Sequence, residues 1–311
     1  MDPAAVPRVP VGSGRTPIPV IGLGTWRSPP EEVTTTITCA IEAGYRHFDG
    51  SPAYVNETAL GAALREQFSA GRVTREDVFI VSKLWNSFHA AEDVKVGLQK
   101  TLEDLGLDYL DLYLMHWPYG FQRGDELFPL DKDGNLLYSD VHYLETWKAM
   151  EKCVEEGLVK NIGVSNFNSL QFQDIIDNCS IKPAVHQIEV HPYLTQQKLV
   201  RFCQDKGVAV TAYSPFASGP VPGAPAEVSN LLGETVLKTL ATKYNKSPAQ
   251  VVLRWLLQRD IIVIPKSVTP SRIKENIQVF DFELTSDDME AVNGLNKNYR
   301  FMGPFTFKED G

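Results

Sequence analysis

The chain has 311 residues, of which 43% are hydrophobic and 22% charged, the composition of an ordinary globular protein rather than a disordered or fibrous one. Its 39 acidic and 30 basic residues give a net charge of -9, which argues against nucleic-acid binding, because such proteins cluster lysine and arginine on one face. The four cysteines form no C-x-x-C pair and predict neither a disulfide scaffold nor a metal site. Since the sequence contains no signal-peptide core and no apolar run of about 18 residues, we expect no membrane span and a cytoplasmic protein.

Short apolar runs rich in β-formers recur along the chain and alternate with longer segments. Runs that are apolar on both faces are typical of buried parallel strands joined by helical crossovers. We count about eight such runs, at 20–23, 46–49, 78–83, 111–116, 160–165, 184–189, 209–213 and 261–264.

The segments between the runs carry helix signals. Apolar residues recur at helical spacing over 94–105 and again over 143–154. Further along, Ser247, Pro248 and Gln250 supply an N-cap, a first-turn proline and a capping-box partner, which predicts a helix start.

Eight strand-plus-helix units in about 300 residues predict a (β/α)8 barrel, which we expect to form a single domain over residues 1–311. The main alternative is a doubly wound sheet, which normally carries a G-x-G-x-x-G motif after its first strand. Here the run from Gly22 to Arg27 lacks the third glycine. The segments 119–142, 214–233 and the tail from Lys297 do not fit the repeating unit and are predicted to be binding loops.

Most of the predicted strands end in, or are followed by, a polar residue. In a barrel these residues would meet at the C-terminal face, where the active sites of this fold lie. Taken singly, Asp49 and Lys83 could be a structural ion pair, and His116 a buried core histidine. Their coincidence at successive strand ends favours a site. The residues are Asp49, Lys83, His116, Ser165, Asn166, Gln187, Tyr213 and Lys266.

Five ordered motifs resemble those of the aldo-keto reductases, and within that superfamily those of the aldose and aldehyde reductases. The resemblance runs from about residue 17 to 299. The motifs are 44–49 followed by Tyr54 and Asn56-Glu57, then 82–85, 105–118, 163–167 and 264–270.

The resemblance implies NADPH/NADP+ as cofactor and a catalytic tetrad of Asp49, Tyr54, Lys83 and His116. A carbonyl that accepts a hydride needs a proton donor at its oxygen, and Tyr54 is the expected acid. The pKa of a free phenol is about 10, so we expect the Lys83 ammonium to lower the pKa of Tyr54 towards neutrality. Asp49 would hold Lys83 in place, and His116 would donate a hydrogen bond to the substrate oxygen.

The resemblance also assigns the binding residues. Ser165, Asn166 and Gln187 would bind the nicotinamide carboxamide and Tyr213 would stack on its ring, whereas Lys266, Ser267, Thr269, Arg272 and Asn276 would bind a 2'-phosphate, with Glu275 near the adenine. The other expected cofactor contacts are Gly24, Thr25, Trp26, Asp49, Ser214, Pro215, Phe216, Ser218 and Val268. The expected substrate contacts are Trp26, Tyr54, Trp85, His116, Trp117, Phe121, Tyr299 and Met302.

Several positions depart from the aldose reductase pattern, among them Tyr119, His186, Phe216 and Met302. They leave sugar, lipid-aldehyde and ketone substrates open. We expect a small carbonyl compound as substrate, no nucleic-acid or membrane partner, and a monomer. The alternative function is that of a non-catalytic NADPH-binding accessory or structural protein of the same fold.

Overall fold

The computed structural model describes residues 6–217 and 225–302. Eight parallel strands follow one another in chain order around a single sheet. Their order confirms the predicted (β/α)8 architecture. The strands are β3 (Leu23–Gly24), β4 (His47–Asp49), β5 (Phe79–Leu84), β6 (Leu112–Met115), β7 (Ile162–Ser165), β8 (Val185–Glu189), β9 (Ala209–Tyr213) and β10 (Ile261–Val263).

Main-chain hydrogen bonds connect the first and last strands. The amide of Gly22 donates to the carbonyl of Val263 at 2.8 Å, and the amide of Val263 donates to the carbonyl of Val20 at 3.0 Å. A further parallel bridge pairs Gly24 with Lys266. These contacts close the sheet, so the carboxyl ends of all eight strands open on one face.

Ten α-helices lie in the described part of the chain. The helix start predicted at Ser247 is confirmed: the Ser247 hydroxyl accepts from the amide of Gln250, and the Gln250 side chain accepts in return from the amide of Ser247. The helices are α1 (Pro30–Ala43), α2 (Glu57–Ser69), α3 (Ala91–Leu105), α4 (Tyr143–Glu155), α5 (Ser169–Asn178), α6 (Gln197–Asp205), α7 (Thr235–Tyr244), α8 (Pro248–Leu257), α9 (Pro270–Asn276) and α10 (Ser286–Asn293).

A hairpin that the strand pattern did not predict precedes the barrel. It pairs β1 (Arg8–Val11) with β2 (Thr16–Pro19) in antiparallel register. Prolines interrupt both strands, and a proline-containing run carries a weak strand signal. Val11 and Ile18 are buried and pack with barrel-lining residues such as Leu112. The hairpin therefore covers the amino-terminal end of the barrel, opposite the strand-end residues.

Strand alternation explains which polar residues enter the barrel. Phe79 and Val81 of β5 belong to the interior cluster, whereas Ile80 packs in the outer core against the helices. Because side chains alternate between the two faces of a strand, Lys83 continues the interior row. The same alternation places Asp49 inward, since it pairs with Val81.

In the described residues the cysteines are free thiols, with Cys39, Cys153 and Cys203 buried and Cys179 half-buried. No helix there is both long enough and apolar enough to span a membrane. Within the same ranges, no cluster of three histidine, cysteine or acidic side chains is arranged to hold a metal ion.

Candidate active site

A cleft of about 640 Å³ opens at the carboxyl ends of the strands. Most of the residues expected to bind cofactor or substrate line it. They are Gly24, Thr25, Trp26, Asp49, Tyr54, Trp85, His116, Trp117, Ser165, Asn166, Gln187, Tyr213, Ser214, Pro215, Phe216, Lys266, Arg272 and Met302.

A buried ion pair lies beneath the cleft. The Nζ of Lys83 is 2.6 Å from Oδ1 of Asp49 and 2.8 Å from the carbonyl of Gly50. The second Asp49 oxygen accepts from Nε2 of Gln187 at 2.8 Å. Asp49 and Lys83 are both fully buried, so each charge depends on the other for compensation.

Tyr54 lies above this pair in a short 3-10 turn, Pro52–Tyr54. The turn begins at Ser51, whose carbonyl accepts from the amide of Tyr54 at 3.0 Å. The next residue, Val55, has φ 56°, a left-handed conformation that is unfavourable for a β-branched side chain. The Nζ of Lys83 is 5.0 Å from the centre of the Tyr54 ring. The turn thus holds the phenol close to the ammonium.

The net pKa of Tyr54 differs from the expectation. Burial of the phenol raises its pKa above 10, and the nearby Lys83 charge lowers it only in part. The expected net lowering is therefore wrong for the protein alone, because the sequence showed the cation but not the extent of burial. The consequence is a phenol that keeps its proton at neutral pH.

His116 is buried beside Tyr54. Burial, followed by the Lys83 and His89 charges, lowers the pKa of His116 well below its usual range, so the imidazole is neutral at pH 7. Its Nδ1 is 3.1 Å from the hydroxyl of Ser51. The ring packs edge-on against Trp85 and Tyr54, with centroid distances of 5.1 and 6.0 Å. His116 and Tyr54 therefore face one small volume of the cleft.

The expected carboxamide-binding residues form a polar group beside the ion pair. Asn166 donates through Nδ2 to the carbonyl of His116 and to Oγ of Ser165, at 3.0 and 3.1 Å. Its Oδ1 accepts from the hydroxyl of Tyr213 at 2.7 Å. These bonds fix the side chain of Asn166, whose backbone has φ 64°.

Four of the ten non-glycine residues with positive φ in the described chain line this cleft. They are Arg27, Asn166, Ser214 and Ala217. Such conformations are costly and concentrate at binding sites, where the surrounding fold maintains them.

Three cationic side chains, Arg27, Lys266 and Arg272, line the cleft. Within the described residues, neither Lys266 nor Arg272 forms a side-chain hydrogen bond or ion pair. Burial lowers the pKa of Lys266 below its usual range, which an anionic group beside it would reverse. These residues suit a phosphate, and together with the polar group around Asn166 they suit a dinucleotide.

The remaining expected cofactor residues do not line the cleft. Ser267 and Asn276 are buried, and the Ser267 hydroxyl accepts from the amide of Thr269. Thr269 stands at the N-cap position of α9, but its side chain makes no capping bond. Lys83, expected as a catalytic residue, is buried beside Asp49 and does not line the cleft either. Val268 and Glu275 are also absent from the lining, and Ser218 lies outside the described residues.

Aromatic residues form the outer wall. Trp85 packs against Phe128 at a centroid distance of 5.3 Å and donates through Nε1 to the carbonyl of Leu127 at 2.7 Å. Two expected substrate contacts are not part of the wall. Phe121 is 1% exposed and packs behind Trp85, and Tyr299 packs against Phe301. Their aromatic character gave no indication of which side of the wall they occupy.

A buried carboxylate holds the tail beside the cleft. Glu189 is fully buried and accepts from the amides of Phe301 and Met302, at 2.8 and 2.9 Å. The same carboxylate is 2.8 Å from Nε2 of His191. Met302 lines the cleft, so Glu189 sets the position of this part of the rim.

Three residues of the site, Ser51, Phe128 and Glu189, were not predicted from the sequence. Glu189 ends β8 and continues the inward row of Val185 and Gln187, so the strand-end rule used for Asp49 could have identified it. Ser51 and Phe128 lie in a turn and a long loop, where the sequence offers no comparable periodicity.

Comparisons with known proteins agree with this geometry. The aldo/keto reductase family model matches residues 20–297. Aldo-keto reductase family 1 member A1 from Gallus gallus is 53% identical over 288 residues, which cover 92% of this chain and 88% of that protein. The human protein of the same name is 51% identical, with 92% and 89% covered. The structure of the aldose reductase from Schistosoma japonicum superimposes with a TM-score of 0.87 at 47% identity, over 94% of this chain and 93% of that one.

Proposed function

From its membership of the aldo/keto reductase family, whose members are oxidoreductases acting on carbonyl groups, we propose the reaction of this chain. It reduces aldehydes and ketones to alcohols with NADPH and uses Tyr54 as the general acid. The observation that carries the proposal is the juxtaposition of a protonated phenol and a neutral imidazole over the buried Asp49–Lys83 pair. We further propose that residues 1–311 form one barrel domain.

The residues of the floor would act on the substrate oxygen. His116 donates a hydrogen bond that orients and polarises the carbonyl, and Tyr54 then transfers its proton to the oxygen as negative charge develops there. Lys83 favours that transfer, because its positive charge stabilises the phenolate that remains. Asp49 keeps the ammonium charged and fixed in place.

A bound nicotinamide dinucleotide would supply the hydride. The polar group around Asn166 supports placement of a carboxamide near the floor, and Lys266 and Arg272, which have no side-chain partner among the described residues, support a phosphate beside them. A phosphate attached to the adenosine ribose distinguishes NADPH from NADH, so these cations favour NADPH. The wall of Trp85, Trp117 and Phe128 favours an apolar carbonyl compound.

The test of the acid is Tyr54→Phe, assayed by NADPH oxidation at 340 nm with a nitrobenzaldehyde. We expect turnover to fall to below a few per cent of wild type, because His116, the other donor to the reacting oxygen, is a neutral imidazole and a weaker acid than the phenol, while NADPH binding by fluorescence titration persists. Tyr138→Phe, at an exposed tyrosine of the rim, is the matched control and should remain active. Substantial turnover by the Tyr54 variant would assign the acid elsewhere.

The same assay separates the enzyme from the accessory-protein alternative. Rapid NADPH oxidation by the wild-type protein across a panel of aldehydes and ketones supports the enzyme. Tight NADPH binding with no turnover of any carbonyl would support a binding role instead.

The test of the cofactor is Arg272→Gln. Removing one charge-assisted hydrogen bond weakens binding about tenfold to a hundredfold, so the Kd for NADPH should rise by that factor while the Kd for NADH stays nearly constant. Lys274→Gln, two residues further along α9 and outside the cleft, should leave both constants unchanged. Equal losses for the two nucleotides would refute the assignment.

A further inference from the structure

Ser51 contacts both residues that would donate a hydrogen bond or a proton to the substrate oxygen, Tyr54 and His116. Its backbone carbonyl accepts from the amide of Tyr54 at 3.0 Å, and its hydroxyl lies 3.1 Å from Nδ1 of His116. Ser51 is fully buried, and Gly50, immediately before it, is bonded through its amide to the carbonyl of Val81 in β5. The residue is therefore fixed to the barrel on one side and to Tyr54 and His116 on the other.

The hydrogen bonds of the Ser51 hydroxyl leave its proton one destination. A serine hydroxyl offers one proton and two acceptor positions. The amide of Ala53 donates to Oγ at 3.3 Å and occupies one acceptor position. Among the described residues, Nδ1 of His116 is the only acceptor within reach of the hydroxyl proton. The hydroxyl therefore donates to Nδ1, since a buried hydroxyl without an acceptor is unfavourable.

The direction of this bond determines the imidazole tautomer. A neutral imidazole carries one proton, and the nitrogen that accepts a hydrogen bond cannot carry it. With Nδ1 as acceptor, the proton resides on Nε2. Within the described residues the only hydrogen bond of the His116 ring is the one at Nδ1, so Nε2 is left for the cleft that His116 lines. The alternative tautomer would present a lone pair to the substrate oxygen and would repel it.

We propose that Ser51 is a positioning residue that holds His116 in the Nε2–H tautomer and thereby makes it a hydrogen-bond donor to the substrate carbonyl. The inference rests on the proposed carbonyl reduction for its functional meaning, but the tautomer itself is a property of the protein alone. The cost of leaving the buried hydroxyl without an acceptor corresponds to about a fivefold to hundredfold bias between the two tautomers. Removing the hydroxyl should therefore change the tautomer ratio of His116 by that factor.

The test combines spectroscopy and kinetics on Ser51→Ala and Ser51→Thr. The protein contains six histidines, so ¹⁵N-histidine labelling gives a tractable spectrum, in which His116→Gln identifies the His116 signals. We expect the Nε2–H pattern in the wild-type protein and in Ser51→Thr, which keeps the hydroxyl. In Ser51→Ala we expect an increased Nδ1–H population and a fall in kcat/KM in proportion to the lost Nε2–H fraction, about twofold where the two tautomers become equally populated, while the Kd for NADPH is unchanged.

Two results would overturn the inference. One is a Ser51→Ala protein that keeps the Nε2–H pattern, whether or not its activity falls, because any loss would then arise from the turn that carries Tyr54. The other is a wild-type protein whose His116 bears its proton on Nδ1. Failure of the proposed function would appear separately. The wild-type protein would then show the Nε2–H pattern but would not oxidise NADPH in the presence of any carbonyl compound tested.

Discussion

The floor of the cleft and its rim contain similar side chains but are held in different ways. The floor, which we define as Asp49, Tyr54, Lys83 and His116, is fixed by strand register and by buried polar contacts. The rim consists of the loop 119–142 and the tail up to Met302, and it is held by aromatic packing, by surface ion pairs and by the carboxylate of Glu189. From this difference we propose that the floor determines the reaction, whereas the rim selects the substrate.

The largest expected effect is on the buried ion pair of the floor. In Asp49→Asn the Lys83 ammonium remains buried without a compensating anion, so we expect the free energy of unfolding to fall by about 3–5 kcal/mol. Urea denaturation at pH 7 measures the change.

The rim supplies the matched control for this prediction. Arg123 binds Asp93 and Glu92 at distances of 2.6 to 2.8 Å, as short as the Lys83–Asp49 contact, but its side chain is 54% exposed. Arg123→Gln should leave the urea midpoint unchanged, because water and salt screen the exposed pair. Equal destabilisation by both substitutions would show that burial does not distinguish the two regions.

The second prediction concerns Glu57, which supports the floor from below. It is buried, accepts from the hydroxyls of Ser82 and Thr101 at 2.5 and 3.1 Å, and burial raises its pKa from 4.5 to about 7. At a pH between 4.5 and about 7 the carboxyl group of Glu57 keeps its proton in the folded protein and releases it in the unfolded chain. The contribution of Glu57 to the free energy of unfolding therefore decreases as the pH rises from about 5 to 7, by about 3 kcal/mol in total.

Glu57→Gln should remove this dependence while leaving an amide that can still bond to both hydroxyls. The measurement is the difference in urea stability between wild type and variant from pH 5 to 8. Taking the difference cancels the contribution of the buried histidines, which is the same in both proteins. Burial lowers the pKa of His47, for example, to about 4, so this residue destabilises the fold as the pH falls, whereas Glu57 does so as the pH rises. Parallel stability curves for the two proteins would contradict the prediction.

How far the sequence predicts the molecule follows the same division. Lys83 and Asp49 could be placed because two-residue alternation along buried strands determines their direction, and the barrel brings strand ends together. The Ser51–His116 bond depends on the shape of a 3-10 turn, and the pKa of Tyr54 depends on how much protein surrounds it. Whether Phe121 faces the cleft or lies behind its wall depends on loop packing, which no local pattern encodes.

The smallest expected effect is at the rim, where Glu189→Gln should change substrate recognition. Each oxygen of Glu189 accepts from one tail amide, so a glutamine would turn an N–H group towards one of these amides and loosen the segment at Met302. Because the lost bond would act on the substrate only through the position of Met302, we expect less than its full effect, about a threefold to tenfold rise in KM for a bulky aromatic aldehyde, with kcat and the KM of a small aldehyde unchanged. Glu234→Gln is the matched control, since that half-buried carboxylate contacts Lys297 of the tail at 3.3 Å but not the cleft. A fall in kcat for both aldehydes would assign Glu189 to the floor, and the division between reaction and selection would then have to be redrawn.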